Sequence, residues 1–358
     1  MPAGRAAGIV RAGFGSPSAA VAHRSSIGEP VEGALVNPYR KILLVADASM
    51  RRTPAFERAV GLARSTGAAL HIAVFEYREA IALAGRIDAD AMRQAQEGLL
   101  RQCRAWLQQE AATLRAQQLE VTTEAVWAHP VYEGILQHVL EMSPDLVVKD
   151  VHHEALLRRL LVTPLDRHLL RLCPAPLLLV NGLADAPPRR VIAAVDPFHP
   201  GPASANSSED LNQQIVQAAL ALAIQCNAEL HLVHAFDALA AFAATTPAGM
   251  TILPDRLYQV LEQSHRDAFA ALADAHGVPP ERRHFLSGAA AVAIADFAAA
   301  SGTDVVVLGT VHRGGFERLV MGSTAESIVD GIACSVLAIK PAGFRHEVAA
   351  LLDKILSH

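Results

Sequence analysis

Short apolar runs alternate with longer amphipathic stretches along most of this chain. In the second half the runs fall at 191–195, 230–235, a weaker stretch near 283–286, 305–308 and 336–339. They are short, and apolar at consecutive rather than alternate positions, which predicts strands buried on both faces of a parallel sheet. The intervening stretches carry helix punctuation. Thr53-Pro54 offers an N-cap with proline in the first turn, Ser208 is placed to cap a helix starting near Glu209, and Gly67, Asn227 and Gly277 suit helix ends. Residues 96–115, with Cys103 and Trp106, read as an amphipathic helix lying on the sheet. Strands alternating with helices imply right-handed crossovers and an open, doubly wound α/β sheet, whose ligands bind at the carboxyl ends of the strands. Asp47, Asp196, Ala235 and Gly309 stand at such ends.

The pattern occurs twice. The segment Asp145-Leu-Val-Val-Lys-Asp-Val-His-His153 aligns with Asp304-Val-Val-Val-Leu-Gly-Thr-Val-His312 at an offset of 159, and the same offset carries Leu177-Leu-Leu-Val180 onto Val336-Leu-Ala-Ile339. Ile42-Leu-Leu-Val-Ala-Asp47 matches Val191-Ile-Ala-Ala-Val-Asp196 at offset 149, and Leu70-His-Ile matches Leu230-His-Leu at offset 160. The second copy therefore has about eleven extra residues between its first two strands. The expected organisation is a flexible leader (1–38), a first domain (39–183), a second domain (188–342) and a C-terminal helical tail (343–358). Gly182 and Pro187-Pro188 serve as the linker. The leader carries Arg5, Arg11 and Arg24 and no acidic residue before Glu29, but it has no compact apolar core of the kind an export signal needs.

Composition narrows the function classes. A chain of 358 residues with 51% hydrophobic and 5% aromatic residues has enough Ala, Leu and Val for two layered cores. A net charge of −5 gives no basic field for nucleic acid, and no apolar run is long enough to span a membrane. Cys103, Cys173, Cys226 and Cys334 have no framework spacing and read as reduced core residues of a cytoplasmic protein. Lysine occurs only at 41, 149, 340 and 354, without a P-loop motif, and no G-x-S-x-G elbow is present.

The segment with the most chemical content begins at Gly309, where a strand ends, and runs to a helix predicted to start at Ser323. Ser323-x-x-Glu326 has capping-box spacing, so the N–H groups of Gly322, Ser323 and Thr324 are expected to face outward at the positive end of a helix dipole. Such a helix start is an anion site, to which the Ser323 and Thr324 hydroxyls add donors. Gly309, lacking Cβ, would let a ribose or base approach the strand end.

Gly309, position 312, Gly322 and Ser323 fall on the spacing G-x-x-G-x9-G-[ST], the nucleotide-binding signature of the universal stress protein family, and the chain resembles that family. The tandem arrangement and the segment Thr163-Pro-Leu-Asp-Arg-His-Leu-Leu-Arg-Leu-Cys-Pro-Ala-Pro176 are similar to its E-type members over residues 40–342. The resemblance implies two Rossmann-like, adenine nucleotide alpha hydrolase-like domains, each a five-stranded parallel sheet flanked by helices. It also implies a role in bacterial stress response rather than catalysis. Equivalent domains of that family pair through sheet edges, which implies an intramolecular pseudo-dimer and admits a homodimer. The nucleotide residues it implies here are Val195, Asp196, Ala235, Gly309, Thr310, His312, Gly322, Ser323 and Thr324, with ATP as the ligand and the need for Mg2+ left open.

Two departures qualify this. His312 replaces the motif's second glycine and would be costly if that position needs positive φ. In the first copy Asp47, Asp150, His153, Thr163 and Pro164 take the equivalent places, so the negative charge of Asp150 and Asp166, the N–H missing at Pro164 and side chains where the motif is bare argue against a second nucleotide. His152, His153 and His312 read as loop residues, with no metal-ligand spacing beside them. Two other functions stay open at this point. One is a site for a larger or partly apolar ligand, to which the apolar segment 238–244 could contribute. The other is slow ATP hydrolysis, for which Asp196 is the one motif-linked carboxylate.

Overall fold

The computed structural model describes residues 39–85, 87–151, 162–181, 187–197, 205–237, 255–310, 322–341 and 343–356. His153, His312 and the segment 238–244 lie outside them. The first half runs β1 (Lys41–Ala46), α1 (Pro54–Thr66), β2 (Ala69–Glu76), α2 (Glu79–Ala84), α3 (Ala89–Arg115), β3 (Val121–Trp127), α4 (Val131–Met142), β4 (Leu146–Val151), α5 (Pro164–Leu172) and β5 (Leu177–Asn181). The second runs β6 (Arg190–Ala194), α6 (Ala205–Cys226), β7 (Glu229–Phe236), α7 (Asp255–Ala275), β8 (Arg283–Ser287), α8 (Ala290–Ala300), β9 (Val305–Gly309), α9 (Ser323–Gly331), β10 (Ser335–Ile339) and α10 (Phe344–Leu356). Each half is a doubly wound parallel sheet. The extra residues inferred between the first two strands of the second copy include a longer helix, α6 against α1.

Local chemistry explains most boundaries. Thr53 caps α1 by accepting from the Phe56 N–H, Pro54 occupies the first turn, and Gly67 closes the helix at φ 69°. Gly277 (φ 63°) and Asn227 (φ 52°) likewise adopt the left-handed conformation after α7 and α6. Ser208 is not a cap, because α6 starts earlier, at Ala205.

The two halves share one ten-stranded sheet, ordered β3-β2-β1-β4-β5-β10-β9-β6-β7-β8. All neighbours are parallel except β5 and β10, which run antiparallel with Leu177, Leu178 and Leu179 opposite Ala338, Leu337 and Val336. The pseudo-dimer is thus a strand pairing. It covers an edge in each half that would otherwise template aggregation. Successive strand residues feed opposite cores. Ile42, Leu44, Leu178, Val191 and Leu337 pack under α1, α3, α6 and α7, while Leu43, Val45, Leu179, Ile192 and Val336 pack under α4, α5, α8, α9 and α10. Each core draws on both halves, and each such aliphatic side chain contributes roughly 1.5–3 kcal/mol by leaving water.

Cores that cross the seam should unfold together. Both tryptophans, Trp106 and Trp127, lie in the first half. Leu337→Ala, in the second half, is expected to cost about 2–5 kcal/mol and to move the tryptophan-fluorescence and far-UV circular dichroism transitions in urea equally. A fluorescence midpoint that stays put would mean that the halves unfold independently.

Candidate functional site

In the second half the sheet's switch point lies between β6 and β9, the first and fourth strands of that unit. Val195, Asp196, Ala235 and Gly309 come together at its carboxyl edge: Ala193 is paired with Val307 and Ala194 with Val233, and the Val195 N–H donates to the Val233 carbonyl. Asn212, buried on α6, fixes the turn. Its Oδ1 accepts the Asp196 N–H at 3.0 Å and its Nδ2 donates to the Asp196 carbonyl at 2.9 Å. His234 holds the same strand end from below, with Nδ1 3.0 Å from the Val195 carbonyl and Nε2 2.9 Å from His265 Nδ1. A carbonyl can only accept, so His234 carries its proton on Nδ1 and Nε2 accepts from His265. Burial pushes the His234 imidazole below its ordinary pKa, which keeps it neutral.

Several expected details differ. A Cβ on Gly309 would meet Leu211 Cδ2 at 3.0 Å and Ile215 Cδ1 at 3.4 Å, so the glycine's bare face is filled by α6 rather than left open for a ribose. Thr310 is fully buried, and its hydroxyl donates across the seam to the Leu170 carbonyl at 3.0 Å. The capping box is not formed. Gly322, not Ser323, is the N-cap of α9, no side chain caps the helix, and the Gly322 N–H is taken by the Thr310 carbonyl at 3.3 Å. Glu326 instead faces Arg167 of α5 at 2.6 Å, beside an Arg167–Asp330 pair at 2.9 Å. Ser323 and Thr324 remain exposed at the first turn, so the helix start presents their N–H groups and hydroxyls.

The equivalent helix of the first half is closed by its own carboxylate. Thr163 caps α5 by accepting the Asp166 N–H at 3.2 Å, and Asp166 returns the bond by accepting the Thr163 N–H at 3.0 Å. The fully buried Asp166 carboxylate also takes a 2.8 Å hydrogen bond from Lys149 Nζ. Pro164 removes one further donor from that turn. Asp150, at the position of Gly309, turns to the start of α1, accepting from the Thr53 hydroxyl and, at 2.9 Å, from the Ala55 N–H. Burial nevertheless raises its pKa above the usual carboxylate value, outweighing those bonds. Asp47 accepts the Ser49 N–H at 2.7 Å in the turn after β1.

A buried lysine links the halves beside this region. Lys340, just after β10, donates to the Arg171 carbonyl at 3.0 Å and to the Leu170 carbonyl, at the carbonyl end of α5, and to Thr310 Oγ1. Burial pushes its ammonium down to about 7. The four cysteines are unpaired. Cys103 and Cys173 are buried and Cys226 and Cys334 half-buried, and burial raises every thiol above its ordinary pKa. None is poised as a thiolate nucleophile.

Sequence inspection missed Asn212, His234 and the Lys149–Asp166 pair, because each acts on a residue far away in the chain. It also missed His71, Glu124 and His138, whose ligand atoms lie within 4.8 Å of one another. No local spacing joins residues on β2, β3 and α4. Removing the Asp166 carboxylate strands the buried Lys149 and opens the α5 cap, so Asp166→Ala is expected to cost about 3–5 kcal/mol in urea unfolding. A loss under about 1 kcal/mol would show that this carboxylate does not hold the helix start.

The site's fold context agrees with comparison to known proteins. The universal stress protein family matches residues 38–181 and again residues 189–340. Universal stress protein E of Escherichia coli (strain K12) is 31% identical over 318 residues, covering 85% of this chain and 94% of that protein. Universal stress protein E of Photorhabdus laumondii is 28% identical over 319 residues, covering 87% and 98%. Among solved structures, a putative universal stress protein from Pseudomonas aeruginosa UCBPP-PA14 superimposes with a TM-score of 0.66 at 25% identity, over 88% of this chain and 98% of that one. The chain belongs to the universal stress protein family and carries two family domains in tandem.

Proposed function

We propose that this chain is a non-enzymatic, cytosolic tandem universal stress protein of the bacterial stress response that holds one adenine nucleotide, in its second half. The observation that carries this reading is the contrast between two equivalent helix starts. The α9 start has no side-chain cap and exposed Ser323 and Thr324, whereas the α5 start is filled by the Asp166 carboxylate. An anion needs unspent N–H groups at the positive end of a helix. In the first half the Thr163 hydroxyl holds the Asp166 N–H, Pro164 has no N–H to offer, and the Asp166 carboxylate sits on the Thr163 N–H, where an outside anion would be repelled. Asp196 and Ala235, beside Gly309 at the switch point, are the residues assigned to the base and ribose. His312 and the loop around it lie outside the described residues and enter this reading only through the motif spacing.

Native mass spectrometry of the full chain with ATP is expected to show one nucleotide per chain, recovered as intact ATP on denaturation. Two nucleotides, or none, would overturn the proposed stoichiometry, and recovery as ADP would overturn the non-enzymatic reading. Ser323→Glu adds a carboxylate to the first turn of α9. It should leave thermal stability equal or raised, because a negative charge suits a helix start, and weaken ATP at least about tenfold. Unchanged affinity in that variant would place the phosphates elsewhere.

A further inference from the structure

We propose that His71, Glu124 and His138 form a binding site in the first half for a borderline transition-metal dication of the zinc class. His71 lies on β2, Glu124 on the neighbouring edge strand β3, and His138 on α4, which packs against β2. Two imidazoles and one carboxylate are a donor set that suits zinc, and their ligand atoms already lie within 4.8 Å of one another. His138 Nδ1 stands 3.9 Å from Glu124 Oε2, and the two imidazole rings stack with centroids 4.9 Å apart. Small rotations of these side chains would bring three ligand atoms to bonding distance of one ion.

The supporting shell points the same way. His71 Nδ1 is engaged with Thr122 Oγ1 at 2.7 Å, which orients the ring and leaves Nε2 as the ligand atom. That Nε2 is buried and has no hydrogen-bond partner, a cost that a metal bond would remove. The Phe75 ring stands edge-on to His138 at 5.6 Å and forms an apolar wall on one side. His71 and Glu124 are half-buried, and Glu124 lies on the edge strand of the sheet, so an ion has a route in and a fourth position can take water or an exogenous ligand.

The second half supplies an internal control. By the repeat offsets, His231 stands for His71, His284 for Glu124 and Phe297 for His138. There the two imidazoles hydrogen-bond directly, His231 Nδ1 to His284 Nε2 at 2.9 Å, and the Phe297 ring lies 4.5 Å from that of His284. With the helix ligand replaced by a phenyl ring, the second half lacks the three-donor set. The equivalent place in the second half is therefore not expected to hold a metal.

Tag-free full-length protein, stripped with chelator, should take up one Zn2+ per chain by isothermal titration and elemental analysis. His138→Phe installs the side chain that the second half already accommodates, and Glu124→Gln preserves shape. Each should weaken Zn2+ by roughly 100-fold or more, since loss of a supporting residue alone costs 10–100-fold. Circular dichroism should show both variants folded. The double variant His152→Ala/His153→Ala should bind as the parent does. The proposal is overturned if the parent takes up no Zn2+, if folded His138→Phe and Glu124→Gln bind as tightly as the parent, or if binding is lost in the His152/His153 variant instead.

Discussion

Everything in this molecule hangs on one strand pairing. Antiparallel contact between β5 and β10 turns two five-stranded units into a single sheet, and both apolar cores continue across the seam. The polar residues near it serve the same end. Asn181 donates its N–H to Ser335 Oγ at 3.1 Å, Lys340 and Thr310 reach the carbonyls that end α5, and Arg345 of α10 reaches Ser143 after α4 at 2.6 Å. The Arg167 pairs with Glu326 and Asp330 are half-exposed and contribute little by comparison with the cores. The seam also explains why α5 and α9 sit side by side. Each follows the fourth strand of its own half, so the strand pairing brings the two helices together across the seam.

That proximity makes the divergence of the halves physically intelligible. A helix start must satisfy its N–H groups somehow, by its own side chains, by water or by a ligand. In α5 the chain supplies Thr163 and Asp166 and neutralises the buried carboxylate with Lys149. In α9 the corresponding positions are Gly322, Ala325 and, on the strand, Leu308, none of which can do so. With Pro164 against Ser323, four substitutions separate a sealed helix start from an open one. The partition of roles proposed for the two halves rests on this difference, and the His71–Glu124–His138 cluster adds a second chemistry to the half that is sealed.

Much of the fold was legible because it depends on local rules. Consecutive apolar runs marked the strands, and Thr53-Pro54, Gly67, Asn227 and Gly277 marked helix ends by capping and left-handed backbone. The internal repeat also made the tandem arrangement readable. The site was less legible, because its details depend on contacts between distant residues. Ser323 and Glu326 have capping-box spacing, yet Arg167, distant in sequence, competes for Glu326. Gly309 fits a nucleotide motif, yet its bare face is spent on Leu211 of a helix whose start at Ala205 precedes the Ser208 cap suggested by sequence. The three candidate metal ligands come from three elements and become neighbours only when β2, β3 and α4 pack.

The central claim is that the open helix start of the second half, and not the sealed one of the first, receives the anionic end of a nucleotide. Hydrogen–deuterium exchange of the full chain with and without ATP tests it directly, because the exchanging groups are the N–H donors in question. The account predicts slowed exchange at residues 323–325 and around Asp196 and Ala235, with no change at residues 163–168 or around Asp150. Equal protection of both helix starts, or protection confined to the first half, would contradict it.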